Sequence, residues 1–140
     1  MGIRQVSVFV ENKKGSLHEI TDVLAKAGVD LRSMCIADTS DYGIVRIIAD
    51  DPIRAQKALA EEGHTSSIRT ITAFAVPDQP GGLAKVLSLL EENGVNIEYM
   101  YALITTCAEK AYTVMRTDDT EKAESILTAN GIELLDEEHI

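Results

Sequence analysis

Tryptophan is absent from these 140 residues, and aromatic side chains of all kinds make up only 4% of them. No strand carries the aromatic run on which a single-stranded RNA platform stacks its bases. Basic residues are scarce as well. Thirteen Lys and Arg face 23 Asp and Glu, a formal net charge of −10. That balance argues against a nucleic-acid partner, whose phosphates demand clustered cations, and against an anionic membrane surface. Its plain reading is solubility. The two cysteines, Cys35 and Cys107, have no C-x-x-C spacing and do not occupy equivalent places in the chain, which excludes a disulfide framework, a zinc site and a heavy-metal-transport motif. No apolar run approaches membrane-spanning length, and residues Met1–Gln5 show no signal-peptide core. Gly2 is not a myristoylation signal, because Val6 stands where Ser or Thr is needed. The expected location is cytoplasmic.

What the chain does have is a repeat. Asn12-Lys13-Lys14-Gly15-Ser16-Leu17 followed by Ala27-Gly28-Val29-Asp30-Leu31 returns as Asp78-Gln79-Pro80-Gly81-Gly82-Leu83 followed by Asn93-Gly94-Val95-Asn96-Ile97. Gly15 and Gly81, Gly28 and Gly94, and Met34 and Met100 all keep an offset of 66. Asp50-Asp51 then matches Asp118-Asp119, and Gly63 matches Gly131, at an offset of 68. The difference places a two-residue insertion in the stretch from Thr105 to Lys110. A repeat of this length means two copies of one folding unit, here 1–69 and 70–140. Units of about 70 residues hold marginal cores, so the copies are expected to lean on each other.

Read in register, the two halves share one order of elements. β-Branched runs at Ile3–Val10 and Ile71–Val76 read as strands. Leu17, Ile20, Leu24 and Ala27, then Leu83, Val86, Leu87 and Leu90, fall at helical spacing. Strands are expected at Val29–Ala37 and Val95–Ile104, and again at Gly43–Ala49 and Ala111–Arg116. Asp51, with Pro52 at the first helical position, and Asp119 cap the second helices. Gly63 and Gly131 end them, and short strands follow at Thr65–Arg69 and Ile132–Leu135. Each half is β-α-β-β-α-β, a ferredoxin-like motif. The join between halves has no Gly- or Pro-rich linker. The expected fold is therefore α+β, two ferredoxin-like repeats side by side forming a shared antiparallel sheet with helices on one face. Leu31, Cys35 and Ala37 against Met34 and Ile36, and in the twin strand Ile97, Tyr99, Tyr101 and Leu103 against Met100 and Ala102, give both faces apolar groups. That predicts a further layer, most simply a homodimer.

Chemistry concentrates at the turn from first strand to first helix. Asp78-Gln79-Pro80-Gly81-Gly82 puts a carboxylate, a rigid proline and two glycines at a helix N-terminus, where backbone N–H groups and the helix dipole favour an anion. Asn96, eighteen residues on, starts a strand whose near end can lie beside that turn. Asp78 and the Asn96 side-chain oxygen suit an ammonium and the N–H groups suit a carboxylate, the two charges of a free amino acid. In the first half Ser16, three residues before Glu19, reads as a capping box that satisfies the helix end from within. The second turn is then expected to be the stronger site. Asp78 as a simple cap, Met34 and Met100 as core filler, and Tyr99 and Tyr101 as core remain the bland readings. His18, Glu19 and Asp22 share a helix but lack the second histidine of a metal pair.

These turns and strand starts resemble the ACT domain, a small regulatory module that binds amino acids: a [DN]-x-P-G-x-L turn, about a dozen helical residues, then G-[VI]-[ND]-I. The resemblance spans nearly the whole chain, twice, and is similar to stand-alone tandem-ACT proteins without a catalytic domain. The first half departs from the pattern with Lys14 in the place of proline. The resemblance implies a ligand held between copies by the turn residue, the turn's backbone and the residue eighteen positions on: Asn12 with Asp30, and Asp78 with Asn96. The candidate ligand-binding set is Asn12, Gly15, Ser16, Leu17 and Asp30 in the first repeat, and Asp78, Pro80, Gly81, Gly82, Leu83, Asn96 and Met100 in the second. It further implies a free L-amino acid as ligand, no cofactor, no metal, and a regulated protein partner. The alternative is an ACT-type interaction module or regulatory subunit with empty sites. An enzyme is not expected: no Ser-His-Asp, Cys-His, Walker or G-x-G-x-x-G arrangement is present, and His64 and His139 have no evident partner in the sequence.

Overall fold

A computed structural model of the chain describes residues 2–38, 41–104 and 109–140. Cys107 and most of the expected insertion lie outside the described residues. The chain forms two compact units, Arg4–Thr70 and Ile71–Ile140, the second including residues 2–3.

The first unit runs β1 (Ile3–Glu11), α1 (Ser16–Lys26), β2 (Leu31–Asp38), β3 (Tyr42–Ala49), α2 (Pro52–Glu61) and the opening residues of β4 (Ser66–Pro77). Its strand order is β2-β3-β1-β4, with β3 antiparallel to both β1 and β2. Alternation decides the buried face. Val6 and Val8 of β1 and Val45 and Ile47 of β3 point to the helices, where they meet Ile20 and Leu24 of α1 and Ala55 and Leu59 of α2. The second unit repeats this with residues 71–77 of β4, α3 (Gly82–Glu92), β5 (Ile97–Ala102), β6 (Lys110–Thr117), α4 (Thr120–Ala129) and β7 (Glu133–Leu135), in the order β7-β4-β6-β5. Phe74, Val76 and Met115 pack there on Val86, Leu90, Ala123 and Leu127. Both units therefore have the ferredoxin-like order expected of a β-α-β-β-α-β repeat. A short helical turn, Glu137–His139, ends the chain.

The helix ends follow the sequence. Asp51 Oδ1 accepts from Arg54 N–H and Asp119 Oδ1 from Lys122 N–H, each at 3.0 Å. Gly28 and Gly94, both at φ +70, leave α1 and α3 through the same pair of closing bonds: Val29 N–H to Leu24 O and Val95 N–H to Leu90 O, each 3.0 Å.

The strands expected at Thr65–Arg69 and Ile71–Val76, joined without a linker, run together as one strand, β4, since no turn residue interrupts them. Two expectations change. A register shift between Leu31 and Ser33, and its twin between Ile97 and Tyr99, moves Leu31 and Ile97 to the opposite face from the one alternation assigns. Leu31 thereby joins Met34 and Ile36 on the helix side, and Ile97 joins Met100, packed on the second core. Finally, no capping box forms at α1. Gly15, at φ +90, is the N-cap, Ser16 is already helical and buried, and no side chain caps the end. Among the described residues no helix is long and apolar enough to cross a membrane.

Candidate functional site

Both strand-to-helix turns open on a cavity within their own unit. At the second turn it measures about 610 Å³. Its walls combine Pro80, Gly81 and Gly82 of the turn, Lys85 of α3, and Asn130 and Ile132 of the segment that follows α4. At the first turn it measures about 370 Å³ and is walled at the equivalent places by Ser16, Glu19, Glu62 and His64. A hollow of about 690 Å³ over Glu121, Glu124 and Ser125 of α4 is larger, but it is shallow and meets no uncapped helix end.

The second turn is built by close approach rather than by openness. Gly81 takes φ +82 and has nothing within 4 Å of where a Cβ would stand. A Cβ on Gly82, in contrast, would sit 2.5 Å from the Pro77 carbonyl oxygen, so Gly82 is glycine for the turn's own backbone rather than for a ligand. Asp78 N–H donates to Glu109 O at 3.0 Å and Gly82 N–H to Gln79 O at 3.1 Å. The amides of Gly81, Leu83 and Ala84 have no backbone acceptor among the described residues.

α3 stands apart electrostatically. α2 and α4 begin with an aspartate cap, and α1 and α4 carry an acidic residue in the first turn, Glu19 and Glu121. α3 has no side-chain cap and no acid in its first turn, and instead places Lys85 there. A cation at the positive end of a helix dipole is locally unfavourable. Positions that break a local rule in this way tend to be functional. Lys85 has no ion-pair partner among the described residues. Glu109, Lys110 and Glu133 also line this cavity, and Lys110 Nζ contacts Glu133 Oε2, which holds the Glu133 carboxyl below the usual glutamate range.

The start of α1 carries the opposite charge at the equivalent place. Glu19 replaces Lys85 in the repeat, and Glu19 Oε1 lies 3.5 Å from His64 Nε2. That nitrogen is closed to solvent and makes no hydrogen bond among the described residues. Glu62 stands where the second repeat has Asn130.

The sequence candidates separate accordingly. Pro80, Gly81 and Gly82 line the second cavity and Ser16 the first; Asn12, Gly15, Leu17, Asp78 and Leu83 belong to the turns but not to the walls. Met100 packs on the second core. Asp30 and Asn96 lie elsewhere. Glu11 pairs with Tyr42 and Leu31 with Ala49, so seven residues of β3 separate the first turn from Asp30, about 23 Å at strand rise. Lys110 to Thr117 of β6 sets the same distance between Asp78 and Asn96. The expectation that Asn96 lies beside its own turn is thus corrected: within a repeat the two occupy opposite ends of the sheet. Asp30 is moreover engaged by Arg32 Nη1 at 3.3 Å. The sequence reading missed Lys85, Asn130 and Ile132, although aligning Glu19 with Lys85 exposes the charge reversal. Both histidines without an evident partner have an acidic neighbour, Glu19 for His64 and Asp136 for His139 at 2.8 Å. No cluster of three or more His, Cys, Asp or Glu able to hold a metal occurs among the described residues.

The family model described as an ACT domain pair matches residues 1–140. No curated protein matches the chain. Among solved structures, the chain is similar to protein BT0572 from Bacteroides thetaiotaomicron, with 40% identity and a TM-score of 0.88 over 96% of this chain and 92% of that one. The regulatory subunits of aspartate kinase from Thermus thermophilus, in its ligand-free form, and from Thermus flavus share the fold. Their identities are 19% and 18%, and their TM-scores 0.69 and 0.61. They cover 94% and 92% of this chain, each matching over 92% of its own length.

Proposed function

The chain belongs to the ACT domain pair family, and from that premise we propose that it is a regulatory protein that binds a free L-amino acid at the turn before α3. The observation that carries this reading is the uncapped N-terminus of α3, with Lys85 beside it, opening on a cavity of about 610 Å³. Pockets of a few hundred Å³ with a few convergent polar groups are the usual size for small ligands. Free amides and Lys85 suit a carboxylate. The acidic residues of the same lining, Glu109 and Glu133, suit an ammonium, and Val76, Val86 and Ile132 offer an apolar wall to a side chain. Regulation requires that the ligand prefer one of two states of the protein or of its complex with a partner. The regulatory subunits of like fold support that role.

The test is a thermal-shift screen against the twenty amino acids, with calorimetry on hits. Ligand at 100-fold over its Kd adds about 2.7 kcal/mol, which moves a melting point by roughly 2–8 °C. Lys85→Glu, the residue of the first repeat, is expected to abolish the hit. A flat screen at millimolar concentrations overturns the reading.

A second reading is an assembly module that binds no small molecule. It is favoured by the exposed apolar residues Phe9, Met34, Ile36 and Tyr42 of the first unit. The same residues support the homodimer proposed from the sequence, and monomeric sedimentation at micromolar concentration sinks that part. A cytoplasmic setting fits the free Cys35.

A further inference from the structure

Resting on the amino-acid site proposed above, we infer that residues 19 and 85 act as a charge selector. Each chain takes one carboxylate ligand, at the second turn only, because Glu19 and its neighbour His64 close the first turn to anions.

The repeat supplies its own control. The two turns share their backbone plan: a left-handed glycine N-cap, Gly15 or Gly81; no side-chain cap; and a cavity between the helix start and the segment after the unit's second helix. With the backbone held constant, the charge on that cavity differs: Glu11, Glu19 and Glu62 outnumber Lys13 on the first, whereas Lys85 and Lys110 balance Glu109 and Glu133 on the second. Lys85 faces the second, whereas Glu19 faces the first. Asn130 is replaced by Glu62, and Ile132 by His64. A carboxylate entering the first cavity would meet the Glu19 and Glu62 carboxylates in place of an ammonium. Like charges at such range repel, and more strongly as water is excluded.

The first cavity is also partly filled from within. Glu19 Oε1 and His64 Nε2 approach to 3.5 Å across it, joining the start of α1 to the segment after α2. The His64 side chain is only 17% exposed, so it forms wall rather than surface. The one cation on that wall, Lys13, already pairs with Glu11 at 3.2 Å. The second cavity keeps Lys85 free of such a partner among the described residues and is the larger of the two.

Isothermal titration of each of the twenty L-amino acids into the full chain gives the number of sites. The wild type is expected to bind one molecule per chain, and Lys85→Glu none. The double variant Glu19→Lys/His64→Ile, which gives the first wall the second repeat's residues at two of the three differing places, is expected to bind two. Because that variant changes a largely covered residue, its melting curve and Glu19→Lys alone are measured beside it. Two equal sites in the wild type, or one site still in a folded double variant and in Glu19→Lys, overturn the selector while leaving the binding site standing. No binding by the wild type removes the site and the selector together.

Discussion

Asn96 and Asp118 hold each other by two hydrogen bonds that run in opposite directions. Asp118 Oδ1 accepts from the Asn96 N–H at 3.0 Å, and the Asn96 carbonyl accepts from the Asp118 N–H, also at 3.0 Å. Asp50 and Asp30 repeat the clasp at 2.9 and 3.1 Å. It pins the start of β5 or β2 to the end of the strand beside it, where the register shift has loosened the ladder. Asp118→Ala is expected to cost about 0.5–2 kcal/mol, and Asp118→Asn, which keeps an acceptor, less. Denaturant melts of the two variants check the order.

Gly82→Ala tests whether the second turn is set by its own backbone. The added Cβ would stand 2.5 Å from Pro77 O, a backbone atom that cannot swing aside. Forced overpacking of this kind costs about 1–3 kcal/mol, so the melting point is expected to fall by several degrees. An unchanged melting point would show that the turn relaxes freely.

His64→Ile replaces a buried nitrogen that lacks a hydrogen bond with the residue the second repeat uses at the same place. Replacing an unsatisfied polar group by an apolar one of fitting shape is neutral or stabilising. The variant is therefore expected to melt at or above the wild-type temperature. A marked fall would mean that His64 makes a contact stronger than its geometry shows.

Acid should loosen the end of the chain first. The Lys110 ammonium holds the Glu133 carboxyl below the usual glutamate range. The Glu138 N–H, then the His139 ring, hold Asp136 below the aspartate range. A carboxyl whose folded pKa is depressed contributes stability above its unfolded pKa and loses it as pH falls through the folded value. The stabilisation is thus complete at neutral pH and disappears below the ordinary carboxylate range. Both groups are well exposed, so the effect is small. Carboxyl NMR titration of the wild type and of Lys110→Met checks the sign: Glu133 should move up in the variant and Asp136 hardly at all.

The parts of the fold that depend on neighbours in sequence were legible in it. The aspartate caps at 51 and 119 and the glycines that end the helices act within one or two turns of chain, and each is found as read. What escaped depends on partners far away. Ser16 and Glu19 satisfy the capping-box pattern, but Gly15 takes the cap with a left-handed backbone that Ser16 would adopt only with strain. The faces of β2 and β5 were misread at Leu31 and Ile97 because a register shift is a property of a strand pair, invisible in one strand. The distance between Asp78 and Asn96 likewise follows from how β6 lies along β4 and β5, which no motif spacing encodes. The turn itself was legible as the place where a ligand is proposed. Lys85, the side chain proposed to select it, stands out only against Glu19 at the same place in the first repeat.

The wall of the second cavity formed by residues 130–133 belongs to the part of the unit with the least holding it. β7 has only three residues and, among the described residues, pairs in the sheet with β4 alone. Segments of this kind detach at a free energy well below that of global unfolding. Amide exchange from Ile132 to Leu135 should therefore outrun that of β4 and β6 in the free protein. An occupant of the cavity would slow it selectively, turning this short strand into a reporter of occupancy that needs no label.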